Sequence, residues 1–165
     1  MQPKRFLVSG LAIGALLIGA NGCGGSSGGK DRTITLQAVP RSPGEVVNFV
    51  DQPPKSPSGQ PDHITAGDQI QEVGTVLDGA GHAAGTRYSI LTFLTPSTHE
   101  QSVNYSESVF YLSHGAIYSA GVHGLAAGGS DAVTGGTGDY AAARGTVTEA
   151  DSKSGHQIFT IHLLD

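Results

Sequence analysis

The chain has 165 residues, enough for one domain, and only 14% of them are charged. Glycine occurs 25 times, which opposes long helices because each glycine inside a helix costs about 1 kcal/mol relative to alanine. The net charge is −5, and Lys and Arg form no cluster beyond the N-terminus, which argues against a surface that binds nucleic acid.

The N-terminal segment has the pattern of a signal peptide. Basic residues at positions 4 and 5 precede an apolar stretch at 6–20, which is shorter than the roughly 20 residues of a transmembrane helix. Small residues at 20–22 then precede Cys23, the single cysteine, and this arrangement resembles a bacterial lipobox. The resemblance implies a signal peptide over 1–22 and a lipid on Cys23 that anchors the chain to the extracytoplasmic face of the cell membrane. Simple secretion is the alternative.

A short linker follows the cysteine. Positions 24–30 are nearly all Gly and Ser, a composition typical of flexible coil that buries no core. We therefore interpret residues 23–32 as the lipid-attachment site and a tether, and residues 33–165 as the folded domain. With one cysteine, the chain can form no internal disulfide and no multi-cysteine metal site.

The folded part alternates short apolar runs with turn residues, which predicts an all-β domain. Strands are expected at 33–39, 46–51, 67–77, 85–95, 103–112, 116–125, 132–134, 144–150 and 157–164, with a proline-rich surface loop at 52–63. Turns are expected at 78–81 and 113–115. Short strands at this spacing favour a sandwich or an up-and-down barrel, and a closed barrel also removes exposed strand edges.

One segment resembles a known family. Residues 132–147, AVTGGTGDYAAARGTV, are similar to the GGTG segment of dirigent proteins and allene oxide cyclases. Further pieces follow the family order: VDQPPK at 50–55, Gly67-Asp68 and Gly85-Thr86 at strand openings, and an aromatic-aliphatic last strand. The resemblance covers about residues 33–165.

The resemblance implies an eight-stranded antiparallel up-and-down β-barrel of the calycin-like, allene oxide cyclase type, often trimeric, with an apolar pocket inside. The plant cyclases steer ring closure of a fatty-acid epoxide, and dirigent proteins direct the coupling or cyclisation of reactive phenolic compounds. Such a pocket acts by holding one conformer beside a few polar groups, and no metal or organic cofactor is implied.

Two pocket positions differ from the family. The cyclases place an Asn, and the dirigent proteins an Asp, where this chain has Gly74. The cyclases carry a pocket Cys where this chain has Leu91. We therefore expect both residues to line the ligand pocket but do not expect allene oxide cyclase activity.

Strand alternation offers two substitutes for the missing groups. Glu72 shares a face with Gly74, and Arg87 shares a face with Leu91, because side chains alternate along a strand. A glutamate in the pocket could have a raised pKa and act as a general acid or base. A self-satisfying Arg87–Glu72 ion pair is the alternative interpretation.

The other candidates are Arg144, Tyr118 and His123. Arg144 matches the arginine of the family segment and would line the pocket or brace the GGTG loop. Tyr118 and His123 are ligand-binding candidates on one strand, but their odd separation puts at most one of them inside. The seven histidines show no zinc-binding spacing, so no metal site is predicted.

Three functions fit these patterns. The protein could guide the cyclisation or coupling of a small hydrophobic molecule, bind such a molecule without catalysis as lipocalins do, or serve as a structural envelope protein with a filled barrel. Abundant small residues in the strands favour a cavity. We therefore expect a small hydrophobic molecule as partner, with a cofactor-independent isomerase or cyclase activity as the enzyme hypothesis.

Overall fold

The computed structural model describes residues 31–39, 45–51, 64–95, 103–124 and 129–164. The predicted signal peptide, Cys23, most of the Gly/Ser linker and the proline-rich loop lie outside these residues. The described chain forms nine strands: β1 (Arg32–Ala38), β2 (Val46–Val50), β3 (Gln69–Leu77), β4 (Ala83–Phe93), β5 (Val103–Leu112), β6 (Gly115–Gly124), β7 (Ser130–Gly136), β8 (Arg144–Asp151) and β9 (Gln157–Leu164). A single turn of 3-10 helix, Gly138–Tyr140, joins β7 to β8.

The strands form a closed eight-stranded antiparallel barrel with one additional strand. The order is β1-β9-β8-β7-β6-β5-β4-β3-β2, and β1 also pairs with β3 through Gln37–Leu77 and Ala38–Val76. That pairing closes the barrel, while β2 lies beside the other end of β3. The predicted all-β barrel is therefore confirmed. The main difference is β7, which is longer than the 132–134 expected because its glycine-rich end still pairs with β6.

The barrel interior follows from the alternation of side chains. In β5, Asn104, Ser106, Ser108 and Phe110 are buried, while the residues between them are more exposed. Directly opposed residues on neighbouring strands share a face, so the pairs Arg87–Phe110 and Phe110–Ile117 extend this inner face to β4 and β6. The same reasoning assigns an inner and an outer face to every strand of the barrel.

Large apolar side chains fill one end of the interior, which we call the apolar half. Phe110 and Phe159 meet edge to face with ring centroids 5.4 Å apart. The apolar half consists of Leu36, Val76, Phe110, Ile117, Val133, Tyr140, Val147, Phe159, Ile161 and Leu163. It is the hydrophobic core of the described domain, and it closes this end of the barrel.

The GGTG segment covers the apolar half. Gly136 approaches the backbone so closely that a Cβ there would overlap the carbonyl oxygens of Ala116 and Tyr140, and Gly138 takes a positive φ of 59°. This compact loop buries the Tyr140 ring in the core, while Arg32 lies over that ring at 5.3 Å. The glycines therefore shape a lid over the barrel end.

A short turn at 65–68 lies next to the opposite end of the interior. The buried Asp68 carboxylate accepts hydrogen bonds from the Thr65 backbone N–H at 2.6 Å and from its hydroxyl at 3.0 Å. The Gly67 N–H donates to the Phe93 carbonyl at 2.8 Å, and the Phe93 N–H donates to the Asp68 carbonyl at 2.9 Å. This turn supports the position of Phe93, which is fully buried at the end of β4.

Candidate functional site

The interior changes character beyond the Phe110–Phe159 layer. From this layer toward Phe93, the inner face carries mainly polar and charged side chains. We call this region the polar half of the lumen; its polar members are Glu72, Arg87, Ser89, Asn104, Ser106, Ser108, Ser119, His123, Asp131 and Glu149. Polar groups concentrated inside a barrel are costly unless they are hydrogen-bonded, so their contacts decide what this region can do.

An arginine and a glutamate form an ion pair in the polar half. The Arg87 Nη1 lies 3.1 Å from Glu72 Oε2, and the Ser89 hydroxyl donates to the same oxygen at 3.2 Å. The Arg87 guanidinium also lies over the Phe159 ring, 4.5 Å from its centroid, where the two halves meet. The Arg87 side chain is 13% exposed and that of Glu72 is 32% exposed, so the pair is held but remains accessible.

Gly74 keeps space open beside this pair. It stands directly opposite Arg87 in the β3–β4 ladder. Among the described residues, a Cβ placed on Gly74 would come within 4 Å of the Glu45 side chain alone, at 3.9 Å. This is an ordinary van der Waals distance, so the described residues leave room for a side chain at this position.

A second polar cluster joins β5, β6 and β7. The Ser106 hydroxyl donates to the Asp131 carboxylate, with distances of 2.8 Å and 2.9 Å to its two oxygens. His123 Nε2 lies 3.1 Å from the Ser106 hydroxyl and 3.6 Å from Asp131 Oδ1. All three side chains are largely buried, which strengthens these contacts relative to a surface cluster.

Glu149 adds a third carboxyl group to the polar half. Burial raises the pKa of Glu149 above the ordinary glutamate value, with Arg87 opposing the rise and the nearby Glu72 and Asp151 carboxylates reinforcing it. The residue lies opposite Phe159, on the inner face of β8. A carboxyl group in this environment holds its proton at a higher pH than usual.

Several buried polar atoms lack a partner within the part of the chain that the structure describes. They are both side-chain polar atoms of Asn104, the Ser119 hydroxyl and the Arg87 Nε. Each such buried group typically costs about 1–3 kcal/mol, and a few in one region are a mark of a binding or catalytic site. All three residues face the polar half, where these atoms are enclosed by protein, so a ligand that displaced the side chains around them would find unused hydrogen-bonding groups.

The residues predicted from the sequence lie in different places. Four lie on the inner face of adjacent strands in the polar half: Glu72, Gly74, Arg87 and Leu91. His123 also faces inward, whereas Tyr118 is on the outer face, as their odd separation requires. Arg144 is exposed on the outside of β8, far along the strand from the inward-facing Glu149. Cys23 lies outside the described residues.

Sequence reasoning missed Ser106, Asp131 and Glu149. Serine and aspartate are common in turns and on surfaces, so their identity alone gave no signal. Their inward orientation follows from alternation with the buried Ser108, Val133 and Val147 on the same strands. Applying the strand period to β7 and β8 would have placed Asp131 and Glu149 inside.

The outer face of the sheet carries a separate apolar surface. Four of the five tyrosines lie there on β4, β5 and β6, and Tyr88 packs edge to face on Tyr111 at 5.9 Å. A groove of about 600 Å³ runs across this face, bordered by Tyr88, Ile90, Tyr105, Val109 and Tyr118 among others. Clustered exposed aromatic side chains are typical of an interaction surface.

No group of three or more His, Cys, Asp or Glu residues that could hold a metal ion occurs among the described residues. Within the same ranges, no helix has the length and apolar composition needed to cross a membrane.

The barrel resembles several solved structures, although no family model and no curated protein matches the sequence. A pyocyanin demethylase is 26% identical with a TM-score of 0.58, and the match covers 80% of this chain and 99% of that one. A pterocarpan synthase dirigent protein is 13% identical with a TM-score of 0.57 and 82% of each chain covered. A Diels–Alderase from Streptomyces koyangensis is 14% identical with a TM-score of 0.55, covering 84% of this chain and 68% of that one. The chain therefore folds as a barrel of the dirigent and cyclase type.

Proposed function

We propose that the polar half of the lumen binds a small, largely hydrophobic molecule and guides its cyclisation or isomerisation without a cofactor. The observation that carries this proposal is the set of buried polar groups without partners beside a partly accessible ion pair. A barrel whose interior served only as a packed core would have apolar side chains in this region, as the apolar half does.

The two halves suggest complementary roles in binding. The Phe110–Phe159 layer offers an apolar wall, and Arg87 and Glu72 offer a donor and an acceptor at its edge. A molecule with an apolar body and a polar group would be held in one orientation, which is the main source of rate enhancement in such a site. Glu149 would supply a carboxyl proton at a pH where exposed glutamates are ionised.

The names of the similar structures support the class of ligand. One is named for the demethylation of pyocyanin, and the others as a pterocarpan synthase and a Diels–Alderase. All act on small organic molecules, so we extend that class to this lumen. Binding without turnover is the second candidate, and the same unpartnered polar groups favour it equally.

Native mass spectrometry of the protein purified from its natural host tests this function. We expect a reproducible small-molecule mass on the protein, and pyocyanin serves as an added probe. Glu72→Gln should weaken retention of the molecule or of the probe by about tenfold, because a charged hydrogen-bonding partner contributes about 1.5–3 kcal/mol. Asp139→Asn, which changes an exposed carboxylate of the GGTG loop outside the lumen, is the matched control. An empty protein that also takes up no probe would leave the lumen without a binding role.

We also propose that the protein forms a homotrimer through the tyrosine-bearing outer face of β4, β5 and β6. The family resemblance predicts a trimer, and the exposed Tyr88, Ile90 and Tyr111 provide an apolar surface for contact between copies. The same native mass spectra report the number of chains, and a monomer at micromolar concentration would contradict this part of the proposal.

We further propose that the barrel is anchored to the membrane through a lipid on Cys23. The support is the sequence pattern around this residue and the Gly/Ser tether after it. Cys23→Ser should move the protein from the membrane fraction to the soluble extracytoplasmic fraction, measured by fractionation and immunoblotting. A variant with a cleaved signal peptide that stays in the membrane fraction would show that the lipid is not the anchor.

A further inference from the structure

The cluster of Ser106, His123 and Asp131 is built by strand register. Ser106 stands opposite Gly121 in the β5–β6 ladder, and His123 is the next inward residue along β6. Asp131 is the inward residue of β7 that precedes Val133. The three side chains therefore come from three adjacent strands and meet on the inner face of the barrel.

Two glycines make the space for this meeting. A Cβ on Gly121 would overlap the Asp131 carboxylate and come within 3.1 Å of the Asp131 Cα. A Cβ on Gly129 would lie 2.8–2.9 Å from three atoms of the His123 ring. Side chains at either position would displace a member of the cluster, so the glycines act as a cradle for it.

Hydrogen-bond chemistry fixes the direction of the contacts. The Ser106 hydroxyl has one proton, and the carboxylate at 2.8 Å is a stronger acceptor than an imidazole nitrogen. The His123 Nε2 at 3.1 Å must then donate its own proton to the Ser106 oxygen. A neutral imidazole carries one N–H, so this assignment leaves the lone pair on Nδ1.

We infer that His123 is the general base of the polar half, accepting a substrate proton at Nδ1 while Ser106 and Asp131 stabilise the resulting imidazolium. The inference rests on the proposed function, since it names the residue that would move a proton in the same lumen. Ser106 and Asp131 are positioning residues. Ser106 holds the ring through Nε2, and Asp131 Oδ1 lies 3.6 Å from Nε2, which shares the positive charge of the imidazolium.

This arrangement differs from a hydrolase triad. In a triad the serine and the aspartate bind different ring nitrogens, so that the serine can lose its proton to histidine. Here both contact Nε2, and the serine proton belongs to the carboxylate. Ser106 is therefore a bridge and not a nucleophile, and the reaction class is proton transfer without a covalent intermediate.

A base of this kind can be tested with a small aromatic probe, 5-nitro-1,2-benzisoxazole. A base removes the proton on its ring carbon, the C–H electron pair completes a nitrile, and the N–O bond breaks to release a coloured phenolate. No oxidant or cofactor takes part, and the rate is followed by absorbance. We expect saturable acceleration by the full barrel, with His123→Gln lowering kcat at least tenfold, the low end of what a positioned base contributes.

Variants separate a base from a structural residue. His82→Gln is the matched control, because His82 lies in the exposed turn before β4. A wild-type rate in His123→Gln, or a loss carried instead by Glu72→Gln or Glu149→Gln, would overturn the assignment. If the probe binds but neither the wild type nor any variant accelerates its ring opening, the assignment of His123 as the base is wrong, whereas the proposed binding function stands.

Nitrogen NMR of the His123 ring gives a readout that needs no substrate. In the wild type, we expect the neutral ring to carry its proton on Nε2. In Ser106→Ala and Asp131→Asn, we expect this preference to weaken, with a smaller loss of kcat than in His123→Gln. If the neutral wild-type ring carries its proton on Nδ1, the assignment of His123 as the base is wrong, whether or not the probe binds. If no probe binds at all, the result counts against the proposed function.

Discussion

The apolar and polar halves of the lumen are built on the same strands but by opposite rules. In β5, Phe110 is packed among large side chains, whereas Ser106 and Ser108 on the same inner face are small and polar. The first arrangement stabilises the barrel by burying apolar surface, and the second gives up that stabilisation for hydrogen-bonding groups. The contrast is the one expected if one half of the interior stabilises the fold and the other half has the proposed role in binding a ligand.

The largest expected difference between the halves is in the loss of unfolding free energy when an inward side chain is truncated to alanine. Phe110→Ala should lower the free energy of unfolding by about 3–5 kcal/mol, because it removes a buried ring and leaves a cavity. Ser108→Ala, the preceding inward position, should change it by less than about 1 kcal/mol. Urea denaturation monitored by circular dichroism measures both. Similar losses in the two variants would mean that the polar half also carries the fold.

The ion pair at the boundary should show an intermediate effect. Arg87→Met removes the partner of Glu72 and the contact with Phe159, so we expect a loss of about 1–3 kcal/mol. The double variant Arg87→Met, Glu72→Gln should be more stable than Arg87→Met alone, because no charge is then left without its partner. Equal stabilities of the single and double variants would mean that solvent already screens the Glu72 charge.

The two halves also differ in how far the sequence predicts them. Apolar alternation in β9 gave the observed bounds of that strand, since burying one face dictates the period, whereas the apolar side chains that alternate along β5 lie mostly on its outer face. The family resemblance placed Glu72 and Arg87 on one face of two strands that prove to be neighbours. The Ser106–His123–Asp131 cluster was beyond reach, because its members are 25 residues apart in sequence at the widest and meet only through the β5–β6–β7 register.

The smallest expected effect concerns pH, and it tests whether the buried Glu149 carboxyl lowers the stability of the barrel at neutral pH. Burial first of all raises the pKa of Glu149, so the folded protein binds this proton more tightly than the unfolded chain does. Stability contributed by the neutral carboxyl is therefore complete below the ordinary glutamate pKa and declines as the pH rises through the raised value. Glu149→Gln replaces this carboxyl group with an amide that has nearly the shape of the protonated carboxyl group and stays uncharged at every pH.

We expect Glu149→Gln to raise the melting temperature at neutral pH and to leave it unchanged at a pH below the ordinary glutamate pKa. Thermal denaturation across this range measures the effect, with Asp139→Asn in the exposed GGTG loop as the control for a carboxyl group outside the lumen. A gain that persists in acid would mean that the glutamine improves packing rather than removing a buried charge. A gain confined to neutral pH would show that the barrel tolerates a destabilising carboxyl in its lumen, which is the expected signature of a site retained for chemistry and not for folding.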